Sequence, residues 1–156
     1  LGLLSLTGEL PADAYLANRY ARPQARFAFA QALAASGLAS ACVDISDGLA
    51  ADVGHICEAS NVAARIEAEK VPLSQSARTA MGHNPALLKT ILAGGDDYEL
   101  AFSAAPKNAP AIAALAAEAG LDVTSIGYFE AGAPKVVVYD QIGQPLNLGR
   151  GGHVHL

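Results

Sequence analysis

Two short stretches of this chain concentrate the side chains able to do chemistry, and both are acidic and flanked by glycine. The first is Asp44-Ile45-Ser46-Asp47-Gly48, which puts two carboxylates and a hydroxyl where a short apolar strand gives way to a helix. Hard divalent cations take oxygen ligands, and carboxylates three positions apart, as Asp44 and Asp47 are, can converge on one such ion. A strand-to-helix junction also presents backbone N–H groups at a helix amino end, where anions bind. Asp52, one turn further, can face the same side. Plain helix capping uses the same residue types: Ser46 or Asp47 would satisfy orphan N–H groups, with Asp44 solvating the strand end. Spacing alone leaves both readings open. An EF-hand is excluded, because the glycine falls too early and no Glu stands at the twelfth position.

The second stretch is Gly94-Gly95-Asp96-Asp97-Tyr98-Glu99-Leu100. Paired glycines allow a sharp turn or a close approach of backbone to a ligand. Adjacent Asp96 and Asp97 repel each other unless a cation, a base or a hydrogen-bond donor lies between them. A helix stop followed by a solvated turn would also account for them. From Asp97 to Phe102 the residues alternate with period two, which predicts a half-buried strand with Asp97 and Glu99 on its wet face.

The histidines carry less. His55 falls beside an apolar stripe and reads as a hydrogen-bonded structural residue, and His83 falls in a turn. His153 and His155 alternate in the tail, with no further ligand placed to complete a zinc site. The chain has no phosphate loop, no dinucleotide fingerprint and no nucleophile elbow, so covalent catalysis has no candidate nucleophile.

The elements that must position these loops follow from pattern. Residues 1–10 form an apolar lead-in, and helices are expected over 13–20 and 24–36, the latter stopped by Gly37. A strand over 41–45 feeds a helix over 48–59, whose Leu49, Val53, Ile56 and Cys57 form one apolar stripe. Strands are expected over 62–67, 123–129 and 135–139, with short helices over 73–81 and 85–92 and an alanine-rich helix over 107–119. Intermingled helices and strands predict one α+β domain, a layered mixed sheet with packed helices.

Composition narrows the partners. The 156 residues are 52% hydrophobic and 16% charged, enough apolar material for one packed core. A net charge of -5 with no basic cluster argues against a nucleic-acid surface. No apolar run approaches the ~20 residues of a membrane span. No secretory signal is visible, and two cysteines, read as buried core residues, are too few for a disulfide scaffold, so a reducing cytoplasm is the default expectation. An opening on Leu1-Gly2-Leu3-Leu4, without Met, reads as the interior of a longer protein.

Both acidic stretches resemble signatures of the thiamine-monophosphate kinase family. Val43 to Leu49 followed by Ala51-Asp52-Val53-Gly54-His55-Ile56 is similar to that family's Asp-x-Ser-Asp-Gly-Leu run, and Gly94 to Leu100 is similar to its Gly-Gly-Glu-Asp-Tyr-Glu-Leu. Arg22-Pro23-Gln24-Ala25-Arg26 and Leu73-Ser74 agree as well. The resemblance implies the C-terminal domain of a protein of the aminoimidazole ribonucleotide synthetase-like superfamily. Residues 1–36 would be a helical lead-in from a preceding ATP-binding domain, and the whole protein a homodimer. The implied reaction is direct transfer of the ATP γ-phosphate to thiamine monophosphate, giving thiamine diphosphate, with Mg2+ as cofactor and little activity in this half alone. By position, the resemblance makes Asp44 and Asp47 magnesium ligands, Ser46 a nucleotide contact and Asp96 a contact to the thiamine substrate, where the family usually has the longer Glu. The tail Arg150 to Leu156 matches the family's closing His at His155 but lacks its substrate-packing aromatic. The competing expectations are another ATP-dependent member of the superfamily, such as aminoimidazole ribonucleotide synthetase or selenophosphate synthetase, and a stand-alone module that binds a phosphorylated ligand.

Overall fold

The computed structural model describes residues 1–149. The reading of His153 and His155, and of the tail around them, lies outside the described residues. Seven helices and five strands alternate along the described chain: α1 (Gly2–Thr7), α2 (Ala14–Ala21), α3 (Phe27–Ser36), β1 (Ala39–Asp44), α4 (Leu49–Ser60), β2 (Val62–Glu67), α5 (Gln75–His83), α6 (Leu87–Ala93), β3 (Leu100–Ala104), α7 (Ala109–Glu118), β4 (Gly127–Ala131) and β5 (Lys135–Tyr139). The α+β expectation holds, with the strands divided between two small sheets. In one, β1 and β3 run antiparallel, pairing Cys42 with Phe102 and Asp44 with Leu100. The other has the order β4-β2-β5 and is mixed: β2 pairs antiparallel with β4 and parallel with β5.

α4 joins the two sheets, because it packs against β1, β3, β2 and β5. Its apolar stripe makes this possible. Leu49, Val53 and Cys57 are buried with Ile45, Ala64, Ile66, Leu92 and Val138 in the larger core. At ~25 cal/mol per Å² of apolar surface removed from water, such side chains stabilise the domain by about 2 kcal/mol each. A second core lies under β1 and β3, where Phe29 and Leu33 of α3 meet Ile112 and Ala116 of α7. The Phe29 and Phe102 rings there are tilted at 56° with centroids 6.1 Å apart, a favourable aromatic arrangement.

The opening ten residues contain helix α1, which is too short to stand alone in water and forms by packing on α2, with Gly2 pressed against Leu16 and Tyr20. Three expectations need correction. The strand expected over 97–102 begins only at Leu100, because Asp96 and Tyr98 adopt left-handed backbone with φ of 65° and 52°. That conformation breaks the pleat on which period-two alternation depends. The strand expected over 123–129 begins at Gly127. Of the two cysteines, only Cys57 is buried; Cys42 points outward from β1.

Candidate functional site

The two acidic stretches, some fifty residues apart in sequence, are stitched together by backbone. The Ile45 N–H donates to the Glu99 carbonyl at 2.8 Å, the Tyr98 N–H to the Ile45 carbonyl at 2.8 Å, and the Asp96 N–H to the Ser46 carbonyl at 2.9 Å. These bonds continue the β1–β3 pairing beyond both strand ends, over residues too irregular to count as strand. Glycine permits the approach. A Cβ at Gly48 would lie 2.6 Å from the Ala93 carbonyl oxygen, and one at Gly95 would land on the Ser46 carbonyl. Gly48 also has φ 127°, a region closed to other residues. Left-handed backbone costs on the order of 1–2 kcal/mol at a non-glycine residue, and a tyrosine there is rarer than an aspartate. The second loop therefore holds two strained residues in place through its bonds to the first.

The first loop is held by Asp52. This carboxylate is 2% exposed, on the inner face of the first turn of α4. Its Oδ2 accepts the N–H groups of Ser46 at 2.9 Å, Asp47 at 3.0 Å and Gly48 at 3.1 Å. An anion there also complements the helix dipole. Capping by Ser46 or Asp47 is thus not what the structure shows: Gly48 is the N-cap residue and makes no side-chain cap bond. The side chains of Asp44, Ser46, Asp47 and Asp96 have no hydrogen-bond partner among the described residues.

Asp47, Asp52 and His55 each offer a ligand atom within 4.8 Å of the others. Asp44 is not part of that group; it stands exposed at the end of β1. The carboxylates suit a hard cation such as Mg2+ or Mn2+, and the imidazole suits a borderline transition metal ion. His55 is 62% exposed and lies 3.8 Å from the Glu58 carboxylate, so it is a surface residue and not the structural histidine expected.

Glu99 is partly exposed, but it is not merely solvated. It takes the Arg26 Nε at 2.8 Å and Nη2 at 2.6 Å, and the Arg19 Nη2 at 2.8 Å, tying the second loop to α2 and the start of α3. The bond to Glu99 holds Arg26 still more firmly charged. The neighbouring Asp97 keeps part of its surface open to water. Even so, the protein around it desolvates its carboxyl and, with Glu99 and Asp96 nearby, pushes its pKa up to about 6 against the pull of Arg19. Beside α4, a cavity of about 460 Å³ opens between Ala50, Gly54, Ala93, Val136 and Leu148, and none of the acidic side chains of the two loops lines it.

Residues 6–140 match the family described as AIR synthase related protein, C-terminal domain. The chain belongs to that family. Within it, the chain is similar to the thiamine-monophosphate kinase of Caulobacter vibrioides, with 35% identity over 99% of this chain and 44% of that protein. It is similar in structure to the thiamine-monophosphate kinase of Stenotrophomonas maltophilia K279a, with a TM-score of 0.78 and 39% identity over 88% of this chain and 45% of that one. A third relative, AaThiL complexed with AMPPCP and TMP, superposes with a TM-score of 0.69 and 35% identity over 88% of this chain and 42% of that one. The chain spans a little under half the length of these relatives. No helix among the described residues is long and apolar enough to cross a membrane.

The sequence singled out the first loop as acidic; the structure brings Asp47 together with Asp52 and His55, and not with the expected Asp44. The role of Asp52 was only partly visible. It occupies the i+3 position of the stripe Leu49, Val53, Ile56, and a charged residue on a buried stripe signals a carboxylate with partners inside. The pairing of Glu99 with Arg19 and Arg26 left no such mark, since residues more than seventy positions apart carry no spacing signal.

Proposed function

We propose that this chain supplies the C-terminal half of a kinase that moves the ATP γ-phosphate to thiamine monophosphate, giving thiamine diphosphate. The observation that carries this reading is the joining of the two acidic loops by direct backbone bonds, with the side chains of Asp44, Ser46, Asp47 and Asp96 left without hydrogen-bond partners among the described residues. A relative of similar structure is complexed with AMPPCP and TMP, which fits a site for a nucleotide and a phosphorylated substrate. The carboxylates suit Mg2+, and in this reading Asp44 and Asp47 hold it against the ATP phosphates. Bound there, the ion would neutralise charge on the transferring group. Ser46 contacts the nucleotide, and Asp96 faces the cationic thiazolium of thiamine. Phosphoryl transfer needs positioning and charge more than a protein nucleophile, which agrees with a site rich in acids. The remaining contacts to ATP, pairing into a homodimer and a cytoplasmic setting belong to the same proposal for the longer protein.

The test is formation of thiamine diphosphate from ATP and thiamine monophosphate by the protein at its natural length, with aminoimidazole ribonucleotide precursor and selenide as competing substrates. Asp44→Asn and Asp47→Asn should each lower kcat about 100-fold or more without lowering Tm, because Asn keeps the shape and loses the charge the cation needs. Turnover of a competing substrate alone, or near-normal kcat in both variants, would overturn the assignment.

A further inference from the structure

Three consecutive backbone N–H groups at a helix amino end form the kind of nest in which proteins hold phosphate. Here the nest of Ser46, Asp47 and Gly48 is already filled from within, by one oxygen of Asp52. α4 is a helix of 12 residues, and this carboxylate sits in its first turn, 2% exposed. Its other oxygen has no hydrogen-bond partner among the described residues. A carboxylate accepting three N–H donors is a strong arrangement, and those bonds offset much of the cost of burying it. A phosphate therefore finds the donors of Ser46, Asp47 and Gly48 already taken.

We propose that Asp52 is a positioning residue, an internal anion that fills the N–H nest of Ser46 to Gly48 ahead of α4 and thereby biases this loop toward cations and away from free phosphate. The proposal rests on the reading that Asp47 binds a divalent cation. The three bonds fix the backbone from Ser46 to Gly48, and with it the direction of the Asp47 carboxylate. The buried negative charge also raises the affinity of the loop for a cation. Phosphate then reaches this loop through a metal ion or the Ser46 hydroxyl, not through the N–H groups of Ser46 to Gly48. Removing the carboxylate should invert that preference, weakening metal binding and opening the nest to free phosphate.

The experiment compares wild type, Asp52→Asn and Asp52→Ala at natural length. Two readouts do not depend on turnover: Mn2+ affinity by calorimetry in the presence of AMPPCP, and Tm with and without inorganic phosphate. Asp52→Ala should bind Mn2+ at least about tenfold more weakly, the usual scale for groups that orient a metal ligand, and should gain a phosphate-dependent rise in Tm that wild type lacks. Asp52→Asn keeps one acceptor oxygen for the nest, so it should fold and show no phosphate effect. It should still bind Mn2+ several-fold more weakly, since the charge is gone. Turnover should show the loss as a raised Mg2+ requirement, with the KM for thiamine monophosphate unchanged. Mn2+ affinity within twofold of wild type in Asp52→Asn, with no phosphate effect in any folded Asp52→Ala, would make Asp52 a structural cap and overturn the proposal. If Asp52→Ala does not fold, the Mn2+ affinity of Asp52→Asn decides alone. Should wild type bind Mn2+ but not phosphorylate thiamine monophosphate, the substrate reading fails and the role of Asp52 is still decided by these readouts. Absence of Mn2+ binding in wild type overturns both the metal role and this proposal.

Discussion

The loop after β1 and the loop before β3 look alike in sequence, each a glycine with a cluster of acids, yet they are held in opposite ways. The first is organised from inside, by a buried carboxylate that takes three N–H groups of the loop itself. The second is organised from outside, by backbone bonds to the first loop and by an ionic latch from Glu99 to Arg19 and Arg26, where Glu99 is 41% exposed. The first loop carries its own shape and the second borrows one. Damage to the shared boundary should therefore harm both, and damage to the latch should loosen only the second.

The boundary gives the largest expected effect. Gly95→Ala places a methyl on the Ser46 carbonyl, and backbone on both sides leaves little room to relax. We expect a loss of about 3 kcal/mol in chemical denaturation and near-complete loss of activity. A stability within 0.5 kcal/mol of wild type, about the range of a neutral surface change, would mean the loops are not in tight register.

Asp96→Ala probes the borrowed loop without touching the boundary, because only its backbone N–H meets Ser46. By the proposed substrate role, KM for thiamine monophosphate should rise about tenfold, with KM for ATP and kcat little changed. Asp96→Glu should be tolerated. A change in ATP or metal dependence instead would move Asp96 into the cation site and erase the functional division between the loops.

Glu99→Gln weakens the latch. The pair is partly solvated, so the expected cost is about 1 kcal/mol, and salt should narrow the gap between wild type and variant. Amide exchange should accelerate at Asp96 to Tyr98 and stay unchanged at Ser46 to Gly48. Equal acceleration in both loops would contradict the idea that the first is held from within.

Asp97 gives the smallest effect. Its pKa is raised to about 6 in the folded state, above the ~3.9 of an unfolded aspartate. The folded state therefore binds the proton more tightly. Asp97 favours folding most below pH ~4, and that contribution is lost as pH rises through about 6. Asp97→Asn should raise stability at pH 7 relative to wild type by less than ~1 kcal/mol, given the solvent at its edge, and should make no such gain at pH 4. Parallel stability curves across that range would show that Asp97 is not desolvated.

Sequence alone was enough for the local elements with strong periodicity. The stripe Leu49, Val53, Ile56, Cys57 predicted α4, and Gly37 predicted the end of α3. The same pattern logic failed at 97–99, since alternation of polar and apolar residues records which side is wet but not the sign of φ. The acidic motifs likewise announced their chemistry without announcing which acid would do what. Asp44, Asp47, Asp52, Asp96, Asp97 and Glu99 are the same functional group, and only burial and partners separate them. Tertiary structure buried Asp52 and loaded it with three donors, gave Glu99 two arginines from α2 and the start of α3, raised the pKa of Asp97 and left Asp96 exposed. Those roles depend on the local dielectric and on neighbours supplied by distant parts of the chain, and neither quantity is written in the order of the residues.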